Sequence, residues 1–232
     1  MNKNNFYRPE IDGLRAISVI SVLIYHLEIS INHQVFSGGF LGVDIFFVIS
    51  GYLITSIILT DIEAKKFSLS NFIKRRIRRI IPILFVVILL TTIAAWFILL
   101  PSSLVSFSKS TLYTVLFNSN FFFWHDVFLK YSHEQAQLYP LLHTWSLAIE
   151  EQYYIIFPIV LLFLIKFLKK YTLLALILTV IVSLSLAQIF INKYPSFTFY
   201  MLPFRIWEIL IGSICAYLFF YKSEYILKKN II

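Results

Sequence analysis

Charged residues and cysteine are both scarce in this sequence. Only 14% of the 232 residues are charged, whereas 59% are hydrophobic, and the mean hydropathy is +0.81. Because a soluble domain usually contains about 25% charged residues, this composition excludes a soluble protein. The one cysteine, Cys215, lies in an apolar run, which excludes a disulfide framework and a thiolate metal site.

Several compact catalytic motifs are missing as well. The sequence has no Walker phosphate loop, no paired-cysteine site and no Gly-x-Ser-x-Gly elbow. His26 and His33 are seven residues apart, but no third ligand accompanies them, so we expect no bound metal. The functional residues must therefore be sought singly, along the length of the chain.

Long apolar runs are what the sequence does contain. Ile80–Leu100 and Tyr171–Ile191 each extend for 21 residues without a charge, enough at 1.5 Å per residue to cross a hydrocarbon core about 30 Å thick. We predict an all-α, polytopic helical membrane protein with about six transmembrane helices, approximately Leu14–Ile31, Phe40–Thr60, Ile80–Leu100, Thr144–Ile165, Tyr171–Ile191 and Phe199–Tyr221. Residues 101–143 contain a further apolar stretch, interpreted either as an extra span or as a re-entrant segment.

Basic residues orient these predicted spans. Residues 60–79, between the second and third spans, contain seven basic and two acidic residues, and basic clusters also follow the fourth and sixth spans. The positive-inside rule assigns these segments and the N-terminus to the cytoplasm. The same rule explains the net charge of +8 without nucleic acid as a partner.

Two ionisable residues in the first predicted span suggest a function, because a charge left in lipid costs at least about 2.5–3.5 kcal/mol. Arg15 and His26 are eleven residues apart, which places them within about 20° of one helix face and about 16 Å apart along the axis. An extended ligand would fit, with Arg15 holding phosphate and His26 acting as a general base. The alternative is an interfacial arginine and a histidine bonded to a neighbouring helix.

The stretch HTWSLAIEEQYY contains a second group of polar residues. His143, Ser146 and Glu150 fall on one helix face, whereas the adjacent Glu150 and Glu151 point in different directions. One of these carboxylates would pair with a histidine and tune it. The alternative is an interfacial helix start whose acids cap the helix and meet water.

The last predicted span and the second contain further polar residues. Arg205 and Glu208 lie three residues apart, so they would form an ion pair that either fixes helix packing or contacts substrate. Asp44 lies in a glycine-rich span, where the glycines permit close approach of a partner helix or a ligand.

An arginine cluster precedes the third predicted span. It comprises Arg75, Arg76, Arg78 and Arg79. Binding of anionic lipid and control of topology would explain it. A phosphate-rich cofactor entering from the cytoplasm would use the same side chains, because arginine forks fit phosphate oxygens.

Five segments, taken together, carry a family resemblance. They are YRPEIDGLRAISVISVLIYH, GGFLGVDIFFVISGYLIT, FIKRRIRRIIP, LLHTWSLAIEEQYYIIFPI and FRIWEILIG. In this order they resemble the acyltransferase-3 family of bacterial membrane O-acyltransferases over nearly the whole chain. The resemblance implies transfer of an acyl group, usually acetyl from cytoplasmic acetyl-CoA, to hydroxyls of a surface glycan such as lipopolysaccharide O-antigen, capsule or peptidoglycan. It implies a multi-pass protein of the bacterial cytoplasmic (inner) membrane, with a glycan or glycolipid acceptor as its partner.

The resemblance also implies roles for single residues. The arginine–ten–histidine motif falls on Arg15 and His26, so His26 becomes the catalytic histidine, which would receive the acyl group or deprotonate the acceptor, with Glu150 orienting and charging it. Residues that would hold the CoA phosphates are Arg15, Arg75, Arg76 and Arg79. The resemblance implies a substrate or structural role for Trp145, Ser146, Arg205 and Glu208, and the polar positions described above add Asp44 and His143 to this group.

Length distinguishes this chain from the family it resembles. Family domains have about ten spans, sometimes followed by an extracytoplasmic hydrolase-like domain, whereas residues 1–232 hold about six. We therefore expect a partial acyltransferase domain: a fragment, a truncated product or one half of a split protein. It would associate with the missing helices or with an extracytoplasmic transferase partner. A glycolipid transporter or flippase, and an inactive truncated family member, stay open as alternatives.

Overall fold

The computed structural model describes residues 8–27, 30–31, 34–35, 37–130 and 139–229. Nine α-helices lie in this part of the chain: α1 (Pro9–His26), α2 (Leu41–Glu63), α3 (Leu69–Ile98), α4 (Pro101–Val115), α5 (Ser119–Lys130), α6 (Thr144–Phe167), α7 (Thr172–Phe190), α8 (Pro195–Tyr200) and α9 (Leu202–Lys229). A two-residue antiparallel pairing of β1 (Ser30–Ile31) with β2 (Gln34–Val35) and a 3-10 turn at Ser37–Phe40 lie between α1 and α2. The predicted all-α fold is confirmed.

Five described helical segments are long and apolar enough to cross a membrane: Gly38–Glu63, Leu69–Ile98, Thr144–Phe167, Lys169–Phe190 and Pro195–Tyr221. They correspond to the second to sixth predicted spans. The first predicted span differs, because α1 begins at Pro9, ends at His26 and includes Glu10, Asp12 and Arg15. These three charged residues in 18 make α1 too polar to join the other five.

Residues 101–130 fold as two short helices. α4 has 15 residues and α5 has 12, lengths of about 22 and 18 Å, both shorter than a hydrocarbon core of about 30 Å. The chain turns between them at Phe117, whose φ of 54° ends helical geometry. This segment is therefore not one continuous extra span, and residues 131–138 lie outside the described part of the chain.

Proline positions explain where several helices begin. Pro9, Pro101 and Pro195 are the first residues of α1, α4 and α8. Proline suits this position because its fixed φ is helical and the first-turn N–H has no helical partner to lose. Leu100, just before Pro101, is extended (φ −68°, ψ 156°), as the steric bulk of the following ring requires.

The chain divides into two compact units. The first contains residues 1–57 and 208–232, and the second contains residues 58–207. In the first unit α2 and α9 approach so closely that a Cβ on Gly51 would collide with the Ile209 carbonyl, and one on Gly212 with the Val48 carbonyl. Small residues allow this kind of helix contact in membranes, where packing and hydrogen bonds drive association.

The second unit is built around α6. Ile149, Tyr153 and Leu161 on this helix are almost completely buried. Two hydroxyl contacts fix its first turn: Ser119 Oγ donates to the Thr144 carbonyl at 2.9 Å, and the hydroxyls of Thr114 and Thr144 lie 3.0 Å apart. Because α4, α5 and α6 are joined at this point, the polar residues that follow Thr144 start from a rigid base.

Candidate active site

His26 ends α1, and its side chain is exposed. Its Nδ1 lies 2.8 Å from the carbonyl oxygen of Val22, one turn earlier. A carbonyl oxygen can only accept a hydrogen bond, so this contact requires the proton to be on Nδ1. In the neutral imidazole, Nε2 then keeps its lone pair, as a general base or a nucleophile requires.

Arg15 packs against α2 through an aromatic ring. Its guanidinium carbon lies 5.2 Å from the centroid of Phe46, and that of Arg8 lies 5.9 Å from the centroid of Tyr52. The order of these contacts shows that α1 and α2 run antiparallel. Arg15 therefore lies beside the first third of α2, where Asp44 is half-buried.

Trp145 and Arg205 come from different sequence motifs but contact one another. The Arg205 guanidinium carbon lies 5.7 Å from the Trp145 ring centroid and 5.3 Å from that of Phe199. Trp145 also packs on Phe199 at 4.6 Å and meets Tyr200 edge-on at 5.6 Å. The start of α6 and the junction of α8 with α9 thus form one aromatic–arginine cluster.

Arg76 is the arginine that connects α3 with α6. Its guanidinium carbon lies 5.3 Å from the centroid of Tyr154 and 5.8 Å from that of Phe72. Glu150 and Glu151 both attract its charge. The structure therefore brings one residue of the arginine cluster to the two carboxylates of α6.

The two carboxylates have different surroundings, although both are buried. The Tyr154 hydroxyl donates to Glu150 Oε2 at 3.3 Å, whereas Oε1 of Glu151 has no hydrogen-bond partner in the described part of the chain. The sequence expectation that the adjacent carboxylates point in different directions stays a prediction.

The other members of the arginine cluster differ from Arg76. Arg75 donates to Asp61 Oδ2 at 2.7 Å in a partly exposed ion pair. Arg79 is exposed and lies within electrostatic range of Arg76. Arg76 is therefore the member of this cluster that packs against α6, and Arg79 lies near Arg76, while Arg75 has a carboxylate partner of its own.

Three predicted site residues remain, namely His143, Ser146 and Glu208. Ser146 donates to the carbonyl of the exposed His143 at 3.1 Å. Glu208 is buried on α9, three residues after Arg205, and the predicted ion pair between these two side chains stays a prediction. His26 belongs to the first unit and Glu150 to the second, so the predicted action of Glu150 on His26 also stays a prediction.

The structure adds an amide pair that we did not predict. Gln152 Nε2 donates to Asn120 Oδ1 at 2.9 Å and to the Phe117 carbonyl at 3.1 Å, while Asn120 Nδ2 donates to the Tyr200 carbonyl at 3.1 Å. These bonds join α5, α6 and the end of α8 beside Trp145. The signal was present in the sequence, since each is an amide side chain next to a strongly apolar or aromatic run.

A second polar contact that we did not predict joins two buried side chains. The Tyr139 hydroxyl donates to Asp126 Oδ2 at 2.8 Å. In the described residues no group of three or more His, Cys, Asp or Glu side chains is placed to hold a metal ion.

Comparison with known proteins decides the family. The acyltransferase-3 model, described as an acyltransferase domain, matches residues 8–232. The chain belongs to this family. The O-acetyltransferase OatA of Staphylococcus aureus strain NCTC 8325 / PS 47 is 37% identical over 97% of this chain and 36% of its own length. A putative O-acetyltransferase of S. aureus strain MSSA476 is 38% identical over 91% of this chain and 35% of its own length.

The acyltransferase-3 membership confirms the resemblance inferred from the five motifs. The chain spans just over a third of the length of the curated relatives described above. No solved structure matches it.

Proposed function

We propose that this chain is the acyl-transferring part of a membrane O-acetyltransferase that moves acetyl from acetyl-CoA to a hydroxyl of a cell-surface glycan. The observation that carries the proposal is the match of an acyltransferase domain to residues 8–232. Two similar proteins named as O-acetyltransferases support acetyl as the transferred group. The bacterial cytoplasmic membrane, with the N-terminus in the cytoplasm, is the location in which such a donor is available.

His26 is the proposed catalytic residue, acting through Nε2. In one route, Nε2 takes the proton of the acceptor hydroxyl while the hydroxyl oxygen attacks the thioester carbonyl. The new C–O ester bond forms, the C–S bond breaks, and the CoA thiolate receives the proton held by His26. In the other route, Nε2 attacks the thioester carbonyl, an N–C bond forms, and the C–S bond breaks to release the CoA thiolate. The acceptor hydroxyl then attacks the acetyl carbon, the N–C bond breaks as the ester C–O bond forms, and the hydroxyl proton passes to the thiolate.

Both routes need the Nε2 lone pair. The hydrogen bond from Nδ1 to the Val22 carbonyl supports this role, since it keeps the proton on the opposite side of the ring. Glu150 is proposed as a second catalytic group, and the Tyr154 hydroxyl holds its carboxylate in place.

The donor phosphates are proposed to bind the arginines. Arg76 and Arg79 are the strongest candidates in the second unit, because Arg75 already pairs with Asp61. Arg15 is the candidate in the first unit. Guanidinium groups fit phosphate oxygens in a fork geometry, and such charge-assisted bonds are about twice as strong as neutral ones.

The glycan is proposed to contact the aromatic–arginine cluster. The exposed ring of Phe199 offers a flat apolar face, Trp145 packs against it, and Arg205 supplies donors beside them. The other predicted contacts to substrate are Asp44, His143, Ser146 and Glu208.

Acetyl transfer in membranes tests the proposed function. Membranes containing the chain, and matched membranes without it, receive acetyl-CoA labelled in the acetyl group together with a hydroxyl-bearing glycan acceptor. We expect label in base-labile ester linkage on the glycan only when the chain is present. Movement of a glycolipid across the membrane without acetyl transfer would instead establish the transporter alternative.

A further inference from the structure

Glu151 is a buried carboxylate that the proposed chemistry does not use. Only 8% of its surface is exposed, and its Oε1 has no hydrogen-bond partner in the part of the chain that the structure describes. Burial of a carboxylate oxygen without a donor is unfavourable, so such an atom in a functional region calls for an explanation. The neighbouring Glu150, by contrast, accepts a bond from Tyr154.

The surroundings of Glu151 define the kind of group that it can bind. Arg76 attracts its charge, and Arg76 lies over the ring of Tyr154, one helical turn along α6 from Glu151. The carboxylate thus lies within electrostatic range of Arg76, one of the arginines proposed to hold phosphate. A phosphate oxygen would be repelled by Glu151, whereas an N–H group would be attracted, so the two neighbouring sites select different parts of one ligand.

We propose that Glu151 Oε1 accepts a hydrogen bond from an amide N–H in the pantetheine arm of acyl-CoA. This inference rests on the proposed function, which supplies acetyl-CoA as donor. The arm is the part of CoA that adjoins the phosphates and carries two amide N–H groups, whereas the thioester has none. Glu151 is therefore a binding residue that recognises the arm, separate from the arginines that recognise the phosphates.

Equilibrium binding tests this without requiring turnover. The chain, purified in detergent, is titrated with CoA and with adenosine 3′,5′-bisphosphate, which keeps phosphates but has no pantetheine amides. Wild type is compared with Glu151→Gln, which keeps a neutral oxygen acceptor of the same shape, and with Glu151→Met, which has only a weak sulfur acceptor. Thermal unfolding of each variant checks that it is folded.

We expect Glu151→Met to weaken CoA binding about tenfold or more, the value of one hydrogen bond to a charged group, and not to weaken binding of the bisphosphate. Glu151→Gln should weaken CoA binding by only about threefold, because a neutral acceptor still makes a hydrogen bond, although a weaker one. Arg79→Ala should weaken both ligands, since it removes a contact to phosphate.

Two results would overturn the proposal. One is equal CoA affinity in wild type and Glu151→Met, as expected if Oε1 accepts from another part of the protein. The other is equal weakening in Glu151→Gln and Glu151→Met, as expected if the carboxylate acts only through its charge.

If Glu151→Met does not fold, a CoA analogue takes the place of this variant. The analogue has ester oxygens instead of both amide N–H groups, and wild type must bind it about tenfold more weakly than CoA. Binding as predicted without acetyl transfer would refute the proposed function and leave this inference intact.

Discussion

Arg205 lies over the indole ring of Trp145, with its guanidinium carbon 5.7 Å from the ring centroid. The two residues are 60 positions apart in the sequence. Their contact places the Trp-Ser motif and the late arginine motif side by side in the second unit. The cation is held against an aromatic face by electrostatic attraction to the ring, and Phe199 completes the cluster.

This contact predicts energetic coupling between the two side chains. In a double-mutant cycle of Trp145→Leu and Arg205→Met, which removes the cation, the free energy of unfolding in detergent should show a coupling of about 0.5–2 kcal/mol. Lys193→Gln, at the exposed Lys193–Tyr194 pair, is the control and should change stability by no more than about 0.5 kcal/mol. Simple additivity of the two substitutions would contradict the contact.

The close approach of α2 and α9 predicts a large effect from a single methyl group. Gly51→Ala or Gly212→Ala should lower the free energy of unfolding by about 1–3 kcal/mol or more, because the added Cβ meets a backbone carbonyl that cannot move aside. Gly13→Ala is the matched control in α1, where a Cβ meets nothing within 4 Å. It should be neutral or stabilising by about 0.5–1 kcal/mol. Equal effects at Gly51 and Gly13 would count against the packing.

The hydrogen bonds of the Asn120–Gln152 amide pair predict a loss of stability when Asn120 is replaced. Asn120→Ala removes the donor to the Tyr200 carbonyl and the acceptor for Gln152, so it should destabilise the chain by about 1–3 kcal/mol. Gln188→Ala is the control, an amide on an exposed position of α7 that should change stability by no more than about 0.5 kcal/mol. Thermal or denaturant unfolding measures both variants. An unchanged Asn120→Ala variant would show that these bonds contribute nothing.

The ion pair between Arg75 and Asp61 predicts an order of effects in the arginine cluster. Arg79→Ala should raise the KM for acetyl-CoA about tenfold, as expected for loss of a charge-assisted bond. Arg75→Ala should raise it less, because Asp61 already engages that guanidinium. Lys74→Ala is the control for loss of an exposed positive charge next to the cluster. A larger effect at Arg75 than at Arg79 would reverse the proposed assignment.

Much of this fold is predictable from the sequence, because apolar runs and helix length are local properties. The second to sixth spans follow from them, and the five motifs identify the family. The first predicted span, Leu14–Ile31, differs from α1. The helix begins at Pro9, so it includes Glu10 and Asp12, and it stops at His26.

Contacts between helices are harder to predict, because they depend on packing that no local pattern records. The spacing along α6 predicts different directions for the side chains of Glu150 and Glu151. It does not predict that Arg76 of α3 lies within electrostatic range of both carboxylates. The pairing of Arg75 with Asp61 and of Asn120 with Gln152 likewise joins residues that are distant in sequence. The tautomer of His26 required the observed position of the Val22 carbonyl.

Acetyl transfer by a His26→Ala variant tests the central claim most directly. His125→Ala is the matched control, because His125 is also an exposed helical histidine but has no proposed role. With labelled acetyl-CoA and a glycan acceptor, we predict that His26→Ala lowers the transfer rate about 10²-fold or more, while His125→Ala retains the wild-type rate. Transfer by His26→Ala at the wild-type rate would contradict the assignment of His26 as the catalytic residue.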